Sequence, residues 1–334
     1  MQRRLLLLAG ALFSAPPTVR AQSRTSRIGV LFNGPPGTTW DVIHTHLVAD
    51  LMSLGHTWGR DFAIEPRFAE GQLARLPALA AELASQGVDV IVTLGGPASA
   101  AAARATATIP IVFAIVTDPV AIGLLASYEA SGRNVTGITS LDTGQAPAQF
   151  DVLKALLPNL ERVAILSDRT IPGADAAGLA PIDRANIAAA QGLGLQPQIV
   201  KLAAPTPAAP TADFEAVFAE IDAGRSQAVL VLELPFVFPL GARIATLALA
   251  RRLPAMFPGG MGGVGGLVAF GTTVTDTWRR IPAMVDRILK GAPSATMPVE
   301  VITRRELVFN AKVADQIGVT IPPGLLARAD LVIR

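Results

Sequence analysis

Asp89-Val90-Ile91-Val92-Thr93-Leu94 is followed at once by Gly95-Gly96-Pro97-Ala98-Ser99. The first six residues make a continuous, β-branched apolar run, the pattern of a parallel strand buried on both faces. The next five lead into an alanine-rich helical segment. A second run, Ile109 to Val116, has the same character and ends in Thr117-Asp118-Pro119. In open α/β sheets ligands gather at the carboxyl ends of such strands, where helix N-termini present unpaired N–H groups. The tract therefore predicts a buried parallel sheet with a ligand site at its edge.

Strand-like and helical runs alternate on either side of it. Upstream lie a strand from Arg27 to Asn33, a helix around Thr39 to Leu54, a strand from Asp61 to Phe68 and a helix from Leu73 to Gln86. Asn134 to Ser140 closes this first series. A second begins at Arg162-Val163-Ala164-Ile165-Leu166 and continues through Gln196 to Leu202, Ala228 to Leu234, Pro254 to Phe257 and Leu267 to Thr272. Such alternation implies parallel sheets covered by helices on both faces, and two series imply two doubly wound domains. Turn residues collect at Thr139 to Gln145 and at Gly259 to Gly266, the expected boundaries, while Ala203 to Pro210 is a loop inside the second domain. A helix from Asp276 to Lys290, a strand from Val299 to Phe309 and Pro322-Pro323 complete the chain.

Of the 334 residues 51% are apolar and 16% charged, an α/β composition with ample core. Arg3-Arg4, the apolar run Leu5 to Phe13 and Val19-Arg20-Ala21 have the order of a secretory signal peptide, residues 1–21, cleaved after Ala21. The apolar run is about half the roughly 20 residues that span a bilayer. Twin-arginine and general export are both compatible with it. The segment holds three basic residues (Arg3, Arg4, Arg20), so 28 basic residues less these three leave 25 against 26 acidic, a net charge of −1. Nothing in that balance calls for nucleic acid or an anionic membrane. The chain has no cysteine, which excludes disulfides, thiolate metal sites, a cysteine nucleophile and a lipid-modified N-terminal cysteine. A freely diffusing periplasmic protein is expected.

Motifs for catalysis are weak. Gly34-Pro35-Pro36-Gly37-Thr38-Thr39 stands where a phosphate-binding loop would, but lacks its lysine and spacing. Gly260, Gly262 and Gly265 fit G-x-G-x-x-G as letters, yet a strand-like run follows in place of a helix, which favours a mobile hinge or crossover loop. The three histidines, His44, His46 and His56, form no metal pattern, and no G-x-S-x-G elbow occurs. No catalytic residue, metal site or cofactor is expected.

The polar residues at strand ends are the candidates for binding. Asp118, Asp168 and Glu233 each end an apolar run; Asp there serves equally as a helix N-cap or as a counter-ion for a cationic group. Ser99, with the N–H groups near Gly95 and Gly96, is placed to hold an anion at a helix start. Asn33, Thr117 and Phe257, also at strand ends, complete the set. Donor and acceptor poles on adjacent strands suit a zwitterion such as an amino acid.

Ile109-Pro110-Ile111-Val112-Phe113 with Asp118-Pro119-Val120, Gly132-Arg133-Asn134-Val135-Thr136-Gly137, Gly265-Gly266-Leu267, Val285 to Gly291 and Pro322 to Asp330 carry a further signal. Through them the whole mature chain resembles the substrate-binding proteins of ABC transporters, in the family that includes tryptophan and tyrosine receptors. The resemblance implies a type I periplasmic-binding fold: two α/β lobes joined by three crossovers, closing on ligand by a hinge. Lobe 1 would combine residues 24–140 and 272–298, lobe 2 residues 141–271 and 299–334. By the same resemblance Gly95 to Ser99 would hold a ligand carboxylate and Asp118 an ammonium, with Asp168, Glu233 and Phe257 closing from the other lobe. The chain departs from the family pattern at Gly96, where relatives often carry Thr, and at Ser167-Asp168-Arg169, where an Asn-Pro turn is common. The implied role is a monomeric receptor delivering a small polar solute to an inner-membrane ABC permease. Docking on a membrane sensor is the alternative, and an exported α/β enzyme a weaker one.

Overall fold

The computed structural model describes residues 24–116, 118–129, 131–139, 144–169, 171–202, 213–233 and 237–334. The expected signal segment and the candidate residue Thr117 lie outside the described residues.

The chain opens with β1 (Ser26–Phe32), α1 (Thr38–Ser53), β2 (Phe62–Phe68), α2 (Leu76–Ser85), β3 (Val90–Leu94), α3 (Gly96–Ala105), β4 (Ile111–Ala114) and β5 (Val135–Thr139). It crosses into α4 (Gln145–Leu156), β6 (Arg162–Asp168), α5 (Pro181–Gly192), β7 (Gln196–Leu202), α6 (Phe214–Ala223), β8 (Ala228–Val231), α7 (Val237–Ala250), β9 (Ala255–Phe257) and β10 (Val268–Thr272). It returns for α8 (Val274–Leu289) and β11 (Glu300–Val301). A third passage leads to β12 (Arg305–Asn310), α9 (Ala311–Ile317), α10 (Pro323–Leu326) and β13 (Leu331–Ile333).

Among the described residues these strands build two sheets. The first has six, in the order β11-β5-β4-β3-β1-β2, and is parallel throughout. The second has seven, in the order β13-β12-β10-β9-β8-β6-β7, and is parallel except where β12 meets β10. Two such sheets joined by three passages are the doubly wound, two-lobed architecture expected from the sequence.

The decisive stretch shows why the strands are apolar without alternation. In β3, Val90, Val92 and Leu94 enter a core shared with α1 and α8, whereas Ile91 enters one shared with α2 and α3. Successive side chains point to opposite faces, and helices cover both, so every position is buried. Each such aliphatic side chain contributes about 1.5–3 kcal/mol of transfer free energy. The second sheet has its own core, spanning Phe150 to Leu325.

Two readings of the sequence need correction. Gly259 to Gly266 is no passage between lobes: it joins β9 to β10, parallel neighbours in one sheet. Two of its glycines answer to packing: a Cβ on Gly259 would lie 2.1 Å from the Gly271 carbonyl oxygen and one on Gly266 2.3 Å from the Phe257 ring. The single strand expected over Val299 to Phe309 is two strands in different sheets, β11 on β5 and β12 on β10. The chain leaves one sheet for the other between Val301 and Arg305, where Thr303-Arg304-Arg305 interrupts the strand-like pattern.

Candidate functional site

Strand order locates the site before any side chain is considered. In the first sheet β3 lies beside β1, and β2 lies on the far side of β1, so connections leave β1 and β3 in opposite directions. In the second sheet β6 and β8 stand in the same relation, with β7 outside. Such switch points open a crevice at the carboxyl ends of the strands. Phe32 pairs with Leu94, which sets Asn33 beside Gly95 at the first switch point. Leu166 pairs with Val231, which brings Asp168 and Glu233 to the second. Four of the expected site residues thus arrive in two pairs by topology alone.

The two edges meet. A Cβ on Gly96 would lie 3.3 Å from Pro172, and one on Gly173 3.6 Å from the Ala121 carbonyl oxygen. The loop after β6 therefore rests against the loops after β3 and β4, across the cleft between lobes.

At the β3–α3 turn, Gly95 has φ +87°, a region closed to residues with a Cβ, and its N–H donates to Ala114 O at 2.9 Å. The Gly96 and Ala98 N–H groups fall in the first turn of α3, where no intrahelical acceptor exists; Pro97 has none to offer. The Ser99 hydroxyl is turned away from the edge. It is fully buried, donates to Gly95 O at 2.8 Å and accepts from Thr93 Oγ1 at 2.8 Å. Its bonds fix the turn, so the hydrogen-bond donors left at this edge are backbone N–H groups.

Beyond β4 the backbone is strained: Ile115, β-branched, sits at φ +53°. Asp118 follows. No helix starts here; Asp118 instead caps a turn, its Oδ1 accepting from the Ala121 N–H at 2.8 Å and the Tyr128 hydroxyl at 3.3 Å. Its Oδ2 takes no partner among the described residues. Burial first, and then the Asp118 carboxylate, push the Tyr128 phenol well above its ordinary value of 10.0.

Asn33 marks the end of β1. Its carbonyl accepts the Gly71 N–H at 2.7 Å, and its buried side-chain Oδ1 has no hydrogen-bond partner among the described residues. On the second lobe, Asp168 and Glu233 are 5% and 7% exposed. Asp168 is no helix cap either: α5 begins thirteen residues later and takes Ala180 as its N-cap. Glu233 accepts from Thr272 Oγ1 at 3.3 Å, tying the ends of β8 and β10 together. Phe257 is fully buried, its ring packed over Gly266 in the second core.

Sequence reasoning passed over Tyr128, Pro172, Asp183 and Lys201. A start signal for α5 was present, proline at its first position and Asp183 at its third. Nothing local, however, announces that Lys201 of β7 reaches the same carboxylate.

The described residues contain no group of three histidine, aspartate or glutamate side chains placed to hold a metal, and no helix long and apolar enough to cross a membrane.

Comparison with known proteins agrees with this geometry. The L-Trp complex of an ABC domain from Streptococcus pneumonia superposes over 93% of this chain and 100% of its own, with a TM-score of 0.78 and 24% identity. A conserved domain protein from Vibrio cholerae gives a TM-score of 0.80 over 92% of this chain and 100% of its own, again at 24% identity. A ligand-free, open substrate-binding protein with adhesive properties from Clostridium difficile gives 0.62 over 92% and 99%, at 20% identity. In sequence, 112 residues are 30% identical to a tyrosine-binding protein of Clostridioides difficile, covering 34% of this chain and about a third, 32%, of that relative. The family model for "ABC transporter substrate binding protein" matches residues 46–333. The chain therefore belongs to the ABC transporter substrate-binding protein family and has a type I periplasmic-binding fold.

Proposed function

We propose that this protein is a periplasmic receptor that traps an amino-acid-like solute between its lobes and delivers it to an ABC permease in the inner membrane. The observation that carries this reading is the facing of two switch points, Asn33 and Gly95 in one lobe, Asp168 and Glu233 in the other, closed by the contact of Pro172 with Gly96.

In this reading the Gly96 and Ala98 N–H groups receive the ligand carboxylate at the positive end of α3. Asp118 Oδ2 takes the ammonium, with Thr117 beside it, and Asn33 Oδ1 accepts a further donor. Asp168 and Glu233 approach from the second lobe, with Phe257 and Ser99 supporting the walls. Closure excludes water, which strengthens each charge contact. Solute binding in the family, a tyrosine-binding relative and a structural neighbour holding L-Trp support an amino-acid ligand and a receptor in place of an enzyme. The basic, apolar N-terminus supports export, and the receptor works as a monomer.

The test is a thermal-shift screen of the protein from Gln22 onward against amino acids, small peptides, purines and organic acids. A ligand at 100 times its Kd stabilises the folded state by about 2.7 kcal/mol, a clear rise in Tm. That rise is expected for an amino acid and is expected to be lost in Asp118→Asn. A folded, ligand-free wild type that none of the panel shifts would overturn the proposal.

A further inference from the structure

One buried charged cluster lies behind the second-lobe edge and is used by none of the contacts above. Asp183, the third residue of α5, is fully buried. Its Oδ1 accepts from the Ser167 hydroxyl at 2.5 Å, and its Oδ2 accepts from the Ala180 N–H at 2.7 Å and pairs with the Lys201 ammonium. Lys201 Nζ also donates to Asp168 O at 3.4 Å.

A carboxylate at the third position of a helix ordinarily satisfies the N-cap amide and nothing else. Here the Ala180 bond does that. The bonds to Ser167 on β6 and Lys201 on β7 go further, and a buried ion pair carries a desolvation cost that capping leaves unexplained. What the three donors share is the loop between β6 and α5. Ser167 and Asp168 stand at its start, Ala180 at its end, and Lys201 grips both the Asp168 carbonyl and the carboxylate. The same loop carries Pro172 and Gly173, which touch Gly96 and Ala121 of the first lobe. One end of the loop is clamped and the other meets the opposite lobe.

We infer that Asp183, Lys201 and Ser167 are positioning residues that lock residues 171–180 of the β6–α5 loop in the conformation that meets the first lobe, and so set how long the cleft stays shut on its ligand. This rests on the receptor reading above. None of the three lock side chains is placed at the ligand, and Lys201 reaches Asp168 only at its backbone carbonyl, so loosening the lock acts on release and not on encounter.

The test uses the full chain from Gln22 and three variants, Ser167→Ala, Lys201→Met and Lys201→Arg; Asp183→Asn is added if it folds. Backbone hydrogen exchange is read without ligand, and association and dissociation rates are read with L-tryptophan and L-tyrosine as probes. Local opening shows in exchange confined to the affected segment, so amides of 171–180 are expected to exchange about tenfold faster in Ser167→Ala and Lys201→Met, with β6 and β7 unchanged. Probe dissociation is expected to quicken about fivefold at unchanged association rate, and Lys201→Arg to restore both. Unchanged loop exchange overturns the lock, and faster exchange with unaltered dissociation overturns its role in closure. If wild type binds neither probe, the ligand assignment fails instead, and the exchange result decides the lock by itself.

Discussion

The Gln145 carboxamide oxygen accepts the Thr272 backbone N–H at 3.0 Å. These residues flank different passages of the chain between the sheets, Gln145 just after the first and Thr272 just before the second. Gln149 Nε2 adds a bond to Phe270 O at 3.0 Å, and Ile302 N donates to Thr139 O at 2.9 Å, joining the third passage to the first. The expected hinge is thus a stitched bundle of three strands of chain, in which any bending would be shared.

Gly271 lies inside this stitching at φ +144°, where an added Cβ would stand 3.2 Å from the Gln145 carboxamide. Gly271→Ala combines backbone strain with crowding and is expected to destabilise the protein by about 1–3 kcal/mol. Urea unfolding reads this directly; an unmoved midpoint would show that the hinge has slack.

In the first lobe, His56 Nε2 lies 2.7 Å from Asp286 Oδ1, and Lys290 Nζ 2.9 Å from Oδ2. Burial alone would raise the Asp286 pKa; the hydrogen bonds from Lys290 and His56 outweigh it and hold the carboxyl below its ordinary value of 3.8. A depressed folded-state pKa gives stability that is present above the unfolded value and is lost as pH falls through the folded one. The stability gap between wild type and Asp286→Asn should therefore be full at pH 6 and shrink only in acid below the ordinary aspartate range. Urea midpoints across that range check it, and a gap that stays constant would refute the assignment.

Tyr128 is the single tyrosine of the chain, so the phenolate absorbance near 295 nm reports it alone. Its raised pKa means that at a pH where free tyrosine is half ionised, about 10, the folded protein should show almost no phenolate signal. The stabilisation linked to it is complete below the unfolded pKa and disappears as pH rises through the folded one. Asp118→Asn removes the adjacent charge and is expected to bring the titration down. Free-tyrosine behaviour in folded wild type would break the proposed Tyr128–Asp118 contact, and with it the orientation of the carboxylate at the cleft.

How much of this was legible from the residues depended on the range of the interaction. The strands were, because helices cover both faces of each sheet and leave Val90-Ile91-Val92 no polar position. Strand ends were legible for the same reason, and topology converts them into facing edges. Side-chain direction was not. Ser99 reads as a donor to ligand until the fold shows its hydroxyl spanning Thr93 and Gly95. Asp168 and Asp118 read equally as helix caps or as counter-ions, and among the described residues no helix follows either closely enough to need a cap. Asp183 and Lys201 meet across 18 residues and two elements, a distance at which spacing carries no signal. The glycines of 259–266 mislead differently: they join neighbouring strands of one sheet, with Gly259 and Gly266 crowded against Gly271 and Phe257, where a domain boundary was expected.

The return of the chain to its first sheet fixes an order of assembly. Thr136 of β5 donates to Met297 O across 161 residues, and α8, which covers β3, β4 and β5, is followed by β11 on the sheet edge. A growing chain therefore holds β1 to β5 with one apolar face covered by α1 alone until the entire middle segment has been made. Contacts of such sequence separation fold slowly, because loop closure must precede their reward. The N-terminal lobe, first to be synthesised, is among the last to be completed.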